Sequence, residues 1–160
     1  MGTGKTSVGK ILAKKLKKTA RDVDQMIEQK EKISIKEIFE KEGEAAFRNL
    51  EKETIKLVSR EENVVITTGG GAVLDPENLK ALSEKGWIVA LHASPEMIYK
   101  RVKNSKKRPL LQGQNRVHEI KRLLEIRKPL YHRADFSVDT DGTSAAQVAA
   151  KILRVLEDKK

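Results

Sequence analysis

The order of local signals predicts an α/β domain built on a mostly parallel sheet, and three observations carry that prediction. Short apolar or β-branched runs alternate with amphipathic helical stretches along the whole chain, the pattern of a sheet covered by crossover helices. Val64-Val65-Ile66 is apolar throughout, as expected of a strand buried on both faces. Three turns rich in Gly or Asp, at residues 1–6, 22–24 and 69–71, fall where such sheets gather ligands, beyond the carboxyl ends of their strands. With 160 residues, 38% of them hydrophobic, one compact domain spanning 1–160 can bury a core without disulfides or metal staples.

The elements follow in order. Over residues 5–16 the apolar positions Val8, Ile11, Leu12 and Leu16 share one helical face and lysines fill the other. Residues 19–23 form a short strand, polar because of Arg21 and the preceding Lys17 and Lys18. Ser34-Ile35-Lys36-Glu37 is a capping box opening a helix to about residue 41. Phe47, Leu50, Leu57 and Val58 carry a longer helix over 44–59. The strand at 64–66 runs into Gly69-Gly70-Gly71. Asp75-Pro76 and Ser94-Pro95 each combine an N-cap with an N1 proline, starting helices to about 85 and 103 on either side of a strand at 87–92. Residues 104–115 mix Lys, Arg, Gly, Pro, Ser and Gln without apolar period and read as a mobile loop. A helix over 117–127, a strand at 136–138 and a closing helix over 145–156, with Val148, Ile152, Val155 and Leu156 inward, complete the chain.

A net charge of +10 suggests a nucleic-acid surface until it is located. Between Lys100 and Arg133 twelve bases face two acids, which accounts for the whole excess. Aromatic residues for base stacking are few, at 4%. A local anionic ligand is the simpler expectation, with no nucleic-acid partner. The absence of cysteine excludes disulfides, thiolate metal sites and a cysteine nucleophile. No apolar run approaches the roughly 18 residues that span a bilayer, and the start lacks the layout of a signal peptide; a cytoplasmic protein without a membrane partner is expected.

Met1-Gly2-Thr3-Gly4-Lys5-Thr6 reads as the second half of the phosphate-binding pattern GxxxxGK[ST], in which loop amides and a lysine hold phosphates and the hydroxyl holds magnesium. The pattern's opening glycine would fall ahead of Met1. Taken alone, Gly-Lys-Thr fits a flexible helix start equally well, but the helix that follows places Gly4, Lys5 and Thr6 at an N-terminus that favours anions. In an extended segment Asp22 and Asp24 would project onto one face; the alternative is an N-cap with a solvated neighbour. Gly69, Gly70 and Gly71 remove every Cβ from one turn, either for a tight bend or so that a ligand can lie against the main chain. Arg48, Arg108 and Arg127 are ligand candidates or, individually, solvated cations. The histidines, His92, His118 and His132, have no metal-ligand spacing.

In order and approximate spacing, Met-Gly-Thr-Gly-Lys-Thr, Asp22-Val23-Asp24, Gly43-Glu44-Ala45-Ala46-Phe47-Arg48, Thr68-Gly69-Gly70-Gly71, Arg108-Pro109-Leu110-Leu111 and Arg127-Lys128-Pro129-Leu130-Tyr131 resemble the shikimate kinase family over nearly the whole chain. The resemblance implies a three-layer P-loop kinase fold, a core over 1–103 and 128–160, substrate-binding helices over 24–60 and a lid over 104–116. It implies transfer of the ATP γ-phosphoryl group to the 3-hydroxyl of shikimate by a monomer. It also implies residue roles: Gly2, Thr3, Gly4, Lys5, Thr6, Ser7, Arg101 and Arg108 on ATP; Thr6 and Asp22 on Mg2+; Asp24, Arg48, Gly69, Gly70, Gly71 and Arg127 on shikimate. Lys5, Asp24 and Arg108 would be catalytic. Two departures accompany it. The family's first, central strand and first loop glycine are absent, so a gap in the sheet and a natural chain about ten residues longer, one strand with its loop entry, are expected. The strand before Asp22 is also unusually polar. The rivals are another small-molecule kinase, a non-catalytic binding protein of the same fold, and a nucleic-acid-binding module.

Overall fold

The computed structural model describes residues 2–103 and 116–159. Its helices are α1 (Lys5–Leu16), α2 (Val23–Glu31), α3 (Ile35–Lys41), α4 (Gly43–Val58), α5 (Pro76–Ser83), α6 (Pro95–Val102), α7 (Arg116–Tyr131) and α8 (Ala145–Asp158). Its strands are β1 (Thr19–Asp22), β2 (Val64–Thr67), β3 (Val89–His92) and β4 (Phe136–Asp139), with a 3-10 turn at Ala72–Leu74. The expected loop at 104–115 and Arg108 lie outside the described residues.

All pairing among the described residues is parallel, as predicted, but the strands form two half-sheets. β1 pairs with β2, Thr19 opposite Val64 through Asp22 opposite Thr67. β3 pairs with β4, Val89 opposite Phe136 through His92 opposite Asp139. No ladder joins β2 to β3 among the described residues. One helical layer nevertheless covers both halves. Val8 and Leu12 of α1 and Val148, Ala149 and Ile152 of α8 form a core into which Val65 of β2 and Val89 and Leu91 of β3 all pack. The opposite layer closes over the first half-sheet through Val23, Ile27, Ile38, Phe47, Ile55 and Val58. Ile27, Ile38 and Ile55 are fully buried, each contributing about 1.5–3 kcal/mol relative to exposure.

Beside β3 runs an apolar groove of about 90 Å³ whose lining includes Gly69, Leu79, Leu82, Val89 and Leu91. One expectation is corrected: Val64, Val65 and Ile66 are half-buried rather than enclosed, and among the described residues β2 pairs along one edge. The helix starts agree with their sequence signals. Ser34 and Glu37 form the reciprocal capping box, and Asp75 and Ser94 accept from Glu77 N and Met97 N ahead of N-terminal prolines.

Other expectations fail for physical reasons. Helix α7 does not stop at Arg127 but continues through Pro129 to Tyr131. Proline in a helix interior costs about 3 kcal/mol; here it sits in the last turn, and both the buried Arg127 and the half-buried Tyr131 dock against the rest of the molecule. β3 starts at Val89 rather than at Trp87, since the Asp135 carboxylate takes the Ile88 N–H at 2.6 Å. Trp87 is left 52% exposed with Lys159 Nζ 5.0 Å from its ring centroid. Leu57 is 62% exposed and Leu16 is exposed too; the buried face of α4 is set by Phe47, Glu51, Thr54, Ile55 and Val58 instead.

Candidate active site

Helix α1 opens on a loop held by glycine geometry. Gly4, its N-cap, has φ 88° and no capping side chain, and Gly2 has φ 61°, both in the left-handed region that glycine enters without strain. A helix start with neither a side-chain cap nor an acid in its first turn directs its amides and positive dipole end at whatever lies in front. In front lies a cleft of about 440 Å³ bordered by Lys5, Thr6, Asp22, Asp24, Arg101 and Thr140. Gly2, Thr3, Gly4 and Ser7 line it as well. Arg101 braces the loop: its Nη1 donates to Thr140 Oγ1 at 2.9 Å and its Nη2 to Thr140 O at 2.7 Å, with Gly2 O 3.4 Å from Nη1.

Asp22 is both things the sequence allowed. As N-cap of α2 it accepts from Gln25 N at 3.2 Å. Its other oxygen, Oδ2, accepts from Thr6 Oγ1 and from Thr67 Oγ1, each at 2.8 Å. Asp24 does not share an extended segment with it, contrary to expectation. The cap starts α2 at Val23, so Asp24 lies in the helix's first turn, yet both carboxylates line the same cleft. Thr67 was not singled out from the sequence; its place in register with Asp22 across the β1–β2 pair was the available signal.

Asp24 joins this region to a second corner. A Cβ built on Gly69 would lie 3.1 Å from Asp24 Oδ1 and 2.9 Å from Glu51 Oε1, and one on Gly71 would overlap the Arg48 guanidinium. At Gly69 and Gly71 a side chain would therefore have to displace Asp24, Glu51 or Arg48 from their present positions. Arg48 stacks on Phe47 at 5.2 Å and donates from Nη1 to Glu51 Oε2 at 2.7 Å and from Nη2 to Glu44 Oε1 at 2.9 Å. Arg127, 4% exposed, has a buried Nε without a hydrogen-bond partner. Tyr131 Oη donates to Gly70 O at 3.0 Å.

Glu51 was not singled out from the sequence. It is fully buried, and one of its oxygens, Oε1, has no hydrogen-bond partner. The signal was its position three residues after Arg48, one helical neighbour away. Burial works against the Arg48 charge, but Glu51 and Glu44 outweigh it and hold the guanidinium above its ordinary value. An ion pair should likewise lower Glu51. Burial wins there instead and pushes the carboxyl above its ordinary 4.5, with Asp24 adding to the rise and Arg48 and Arg127 opposing it. A raised folded value means that the stability contribution is full below the ordinary carboxyl range and is lost as pH rises through the folded value. Glu51→Gln keeps an acceptor for Arg48 and removes that dependence. The unfolding free energy of the wild type, measured in urea at pH 5 and pH 8, should therefore fall relative to that of Glu51→Gln at the higher pH. A wild type that gains on the variant as pH rises contradicts the raised value.

A helix start suited to phosphates, two aspartates lining the cleft before it and an arginine packed on a glycine turn place this chain among the P-loop kinases that act on small molecules. The comparisons with known proteins narrow the class. The family model described as shikimate kinase matches residues 1–157, and the chain belongs to that family. A shikimate kinase of Thermodesulfovibrio yellowstonii is 50% identical over 157 residues, covering 98% of this chain and 91% of the relative. One from Caldicellulosiruptor saccharolyticus is 46% identical, covering 97% and 90%. The structure of the shikimate kinase from Acinetobacter baumannii in complex with shikimate superimposes with a TM-score of 0.97 at 38% identity, over 100% of this chain and 90% of that one. That of Aquifex aeolicus gives 0.86 at 40% identity, over 99% and 93%. The α/β P-loop kinase fold and the kinase activity expected from the sequence are thereby supported over a nucleic-acid module. Among the described residues no helix is long and apolar enough to cross a membrane.

Proposed function

We propose that this chain transfers the γ-phosphoryl group of ATP to the 3-hydroxyl of shikimate, giving shikimate 3-phosphate and ADP. The observation that carries the reading is the position of Asp24, which borders the phosphate cleft and also faces Gly69 beside the Arg48–Glu51 pair. A hydroxyl held at Asp24 thus lies between a phosphate corner and a carboxylate corner. Phosphoryl transfer passes through a loose transition state, so positioning and charge neutralisation decide the rate.

Lys5 and the amides around Gly2, Thr3, Gly4 and Ser7 hold the ATP phosphates, with Arg101 on the nucleotide side and Arg108 from a lid over 104–116. The Thr6 hydroxyl and Asp22 carboxylate fit Mg2+: they are hard oxygen donors already gathered on one another, and Mg2+ takes one or two carboxylates with phosphate oxygens rather than a full protein cage. Bound there, the ion neutralises phosphate charge. Asp24 orients the attacking hydroxyl and accepts its proton. Arg48 and Arg127 meet the shikimate carboxylate as planar forks, and the amides of Gly69, Gly70 and Gly71 border the same ligand. We further propose a monomer working in the cytoplasm.

A coupled ADP-release assay with shikimate, gluconate and nucleoside monophosphates tests this. Turnover with shikimate alone is expected; faster turnover with either other acceptor rejects it, and shikimate binding without turnover favours the non-catalytic alternative.

A further inference from the structure

We infer that Tyr131 is a positioning residue: its hydroxyl fixes the Gly70–Gly71 peptide so that the Gly71 N–H is presented beside the Arg48 guanidinium. The inference rests on the reading that a substrate carboxylate binds in that corner.

Three consecutive glycines have no Cβ to restrict them, and each peptide plane among them rotates with little steric resistance. Backbone bonds tie the neighbouring carbonyls, Ala72 N to Gly69 O at 3.3 Å and Leu74 N to Gly71 O at 3.0 Å, so the peptide that a side chain must latch is the one between Gly70 and Gly71. Tyr131 Oη donates to Gly70 O at 3.0 Å, which anchors one side of the peptide between Gly70 and Gly71. No peptide bond is cis, and in a trans peptide the C=O and the following N–H point opposite ways. Holding the Gly70 carbonyl toward Tyr131 therefore turns the Gly71 N–H away from it. Gly71 is buried, and the Arg48 guanidinium occupies the space where its Cβ would stand. Turned away from Tyr131, that amide would join the guanidinium as a paired donor set.

Tyr131 is itself fixed. Its ring meets His92 edge-on at 6.0 Å, and it follows Arg127 by four residues on the same face of α7. Burial raises the phenol above its usual value, against the pull of Arg127, so it stays a protonated donor through neutral pH. One helical turn thus supplies Arg127 to the corner and sets the direction of an amide in it. This gives a physical reason for α7 to continue past Pro129.

The test is Tyr131→Phe, which keeps the ring and its packing on His92 and removes the hydroxyl that donates to Gly70 O and accepts from Arg127. Losing the neutral hydrogen bond to Gly70 O is expected to weaken shikimate binding about 2–10-fold, with KM for shikimate rising in step and KM for ATP unchanged. The wild-type-to-variant affinity ratio should collapse toward one for shikimate methyl ester, which lacks the carboxylate charge. A variant that binds shikimate as the wild type does, or that weakens ATP and shikimate equally, overturns the inference alone. A wild type that binds no shikimate by calorimetry overturns the underlying reading and the inference with it.

Discussion

Lys5→Ala lowers kcat for ATP-dependent phosphorylation of shikimate by about 10³-fold or more, a loss comparable to removing a transition-state cation or donor in other transfer sites. Lys5 is the first residue of α1 and borders the cleft together with Thr6 and Asp22. The dipole of α1 supplies only about half a charge at that end, while the transferring group carries negative charge on three equatorial oxygens. A full cation on the loop is the larger contribution. The same substitution should leave folding nearly intact, because Lys5 belongs to none of the three apolar clusters. Shikimate affinity, governed by the corner around Arg48 and Arg127, should fall by far less than kcat, because Lys5 sits on the phosphate loop at the start of α1. A kcat within tenfold of wild type at saturating ATP removes Lys5 from the mechanism.

Much of this arrangement was legible because its signals are local. The loop glycines, the capping box at Ser34 and the two N-terminal prolines each act within one helical turn, and all fall where the sequence put them. What was illegible depends on contacts made over long sequence distances. Glu51 lies on a helix face that reads as solvated, and only the packing of Gly69 against α4 shows it to be buried. Thr67 matters because β1 and β2 pair in one register, which apolar content alone does not specify. The end of α7 was misplaced because Pro129 acts locally against the helix, while the buried Arg127 and the Tyr131–Gly70 hydrogen bond act globally for it. Asp24 was assigned to an extended segment because the capping of α2 by its neighbour Asp22 takes priority over the strand period. The site's residues were thus readable one by one, and their mutual geometry was not.

Arg127→Ala and Arg48→Ala each weaken shikimate binding about 30-fold to 10³-fold, roughly 2–4 kcal/mol for a desolvated, charge-assisted contact, with ATP affinity within about twofold. The two differ in what else they disturb. Arg127 opposes the Glu51 rise less than Arg48 does, and Tyr131 keeps its bond to Gly70 O without it, so its removal costs chiefly packing and binding. Arg48 leaves Glu51 without its 2.7 Å partner, and stripping a buried carboxylate of its cation costs up to about 3–5 kcal/mol when the charge must persist. Glu51 has an escape, because burial already favours its protonated form. Arg48→Ala should therefore be nearly as stable as wild type at pH 5 and distinctly less stable at pH 8, where that proton is harder to hold. The double variant Arg48→Ala, Glu51→Gln separates the two roles: it should regain stability at pH 8 while shikimate binding stays lost. Calorimetry for both ligands and urea unfolding at the two pH values measure this directly. Equal losses for ATP and shikimate in either single variant remove that arginine from the carboxylate corner. A double variant no more stable than Arg48→Ala at pH 8 shows that Arg48 supports the fold through something other than the charge of Glu51.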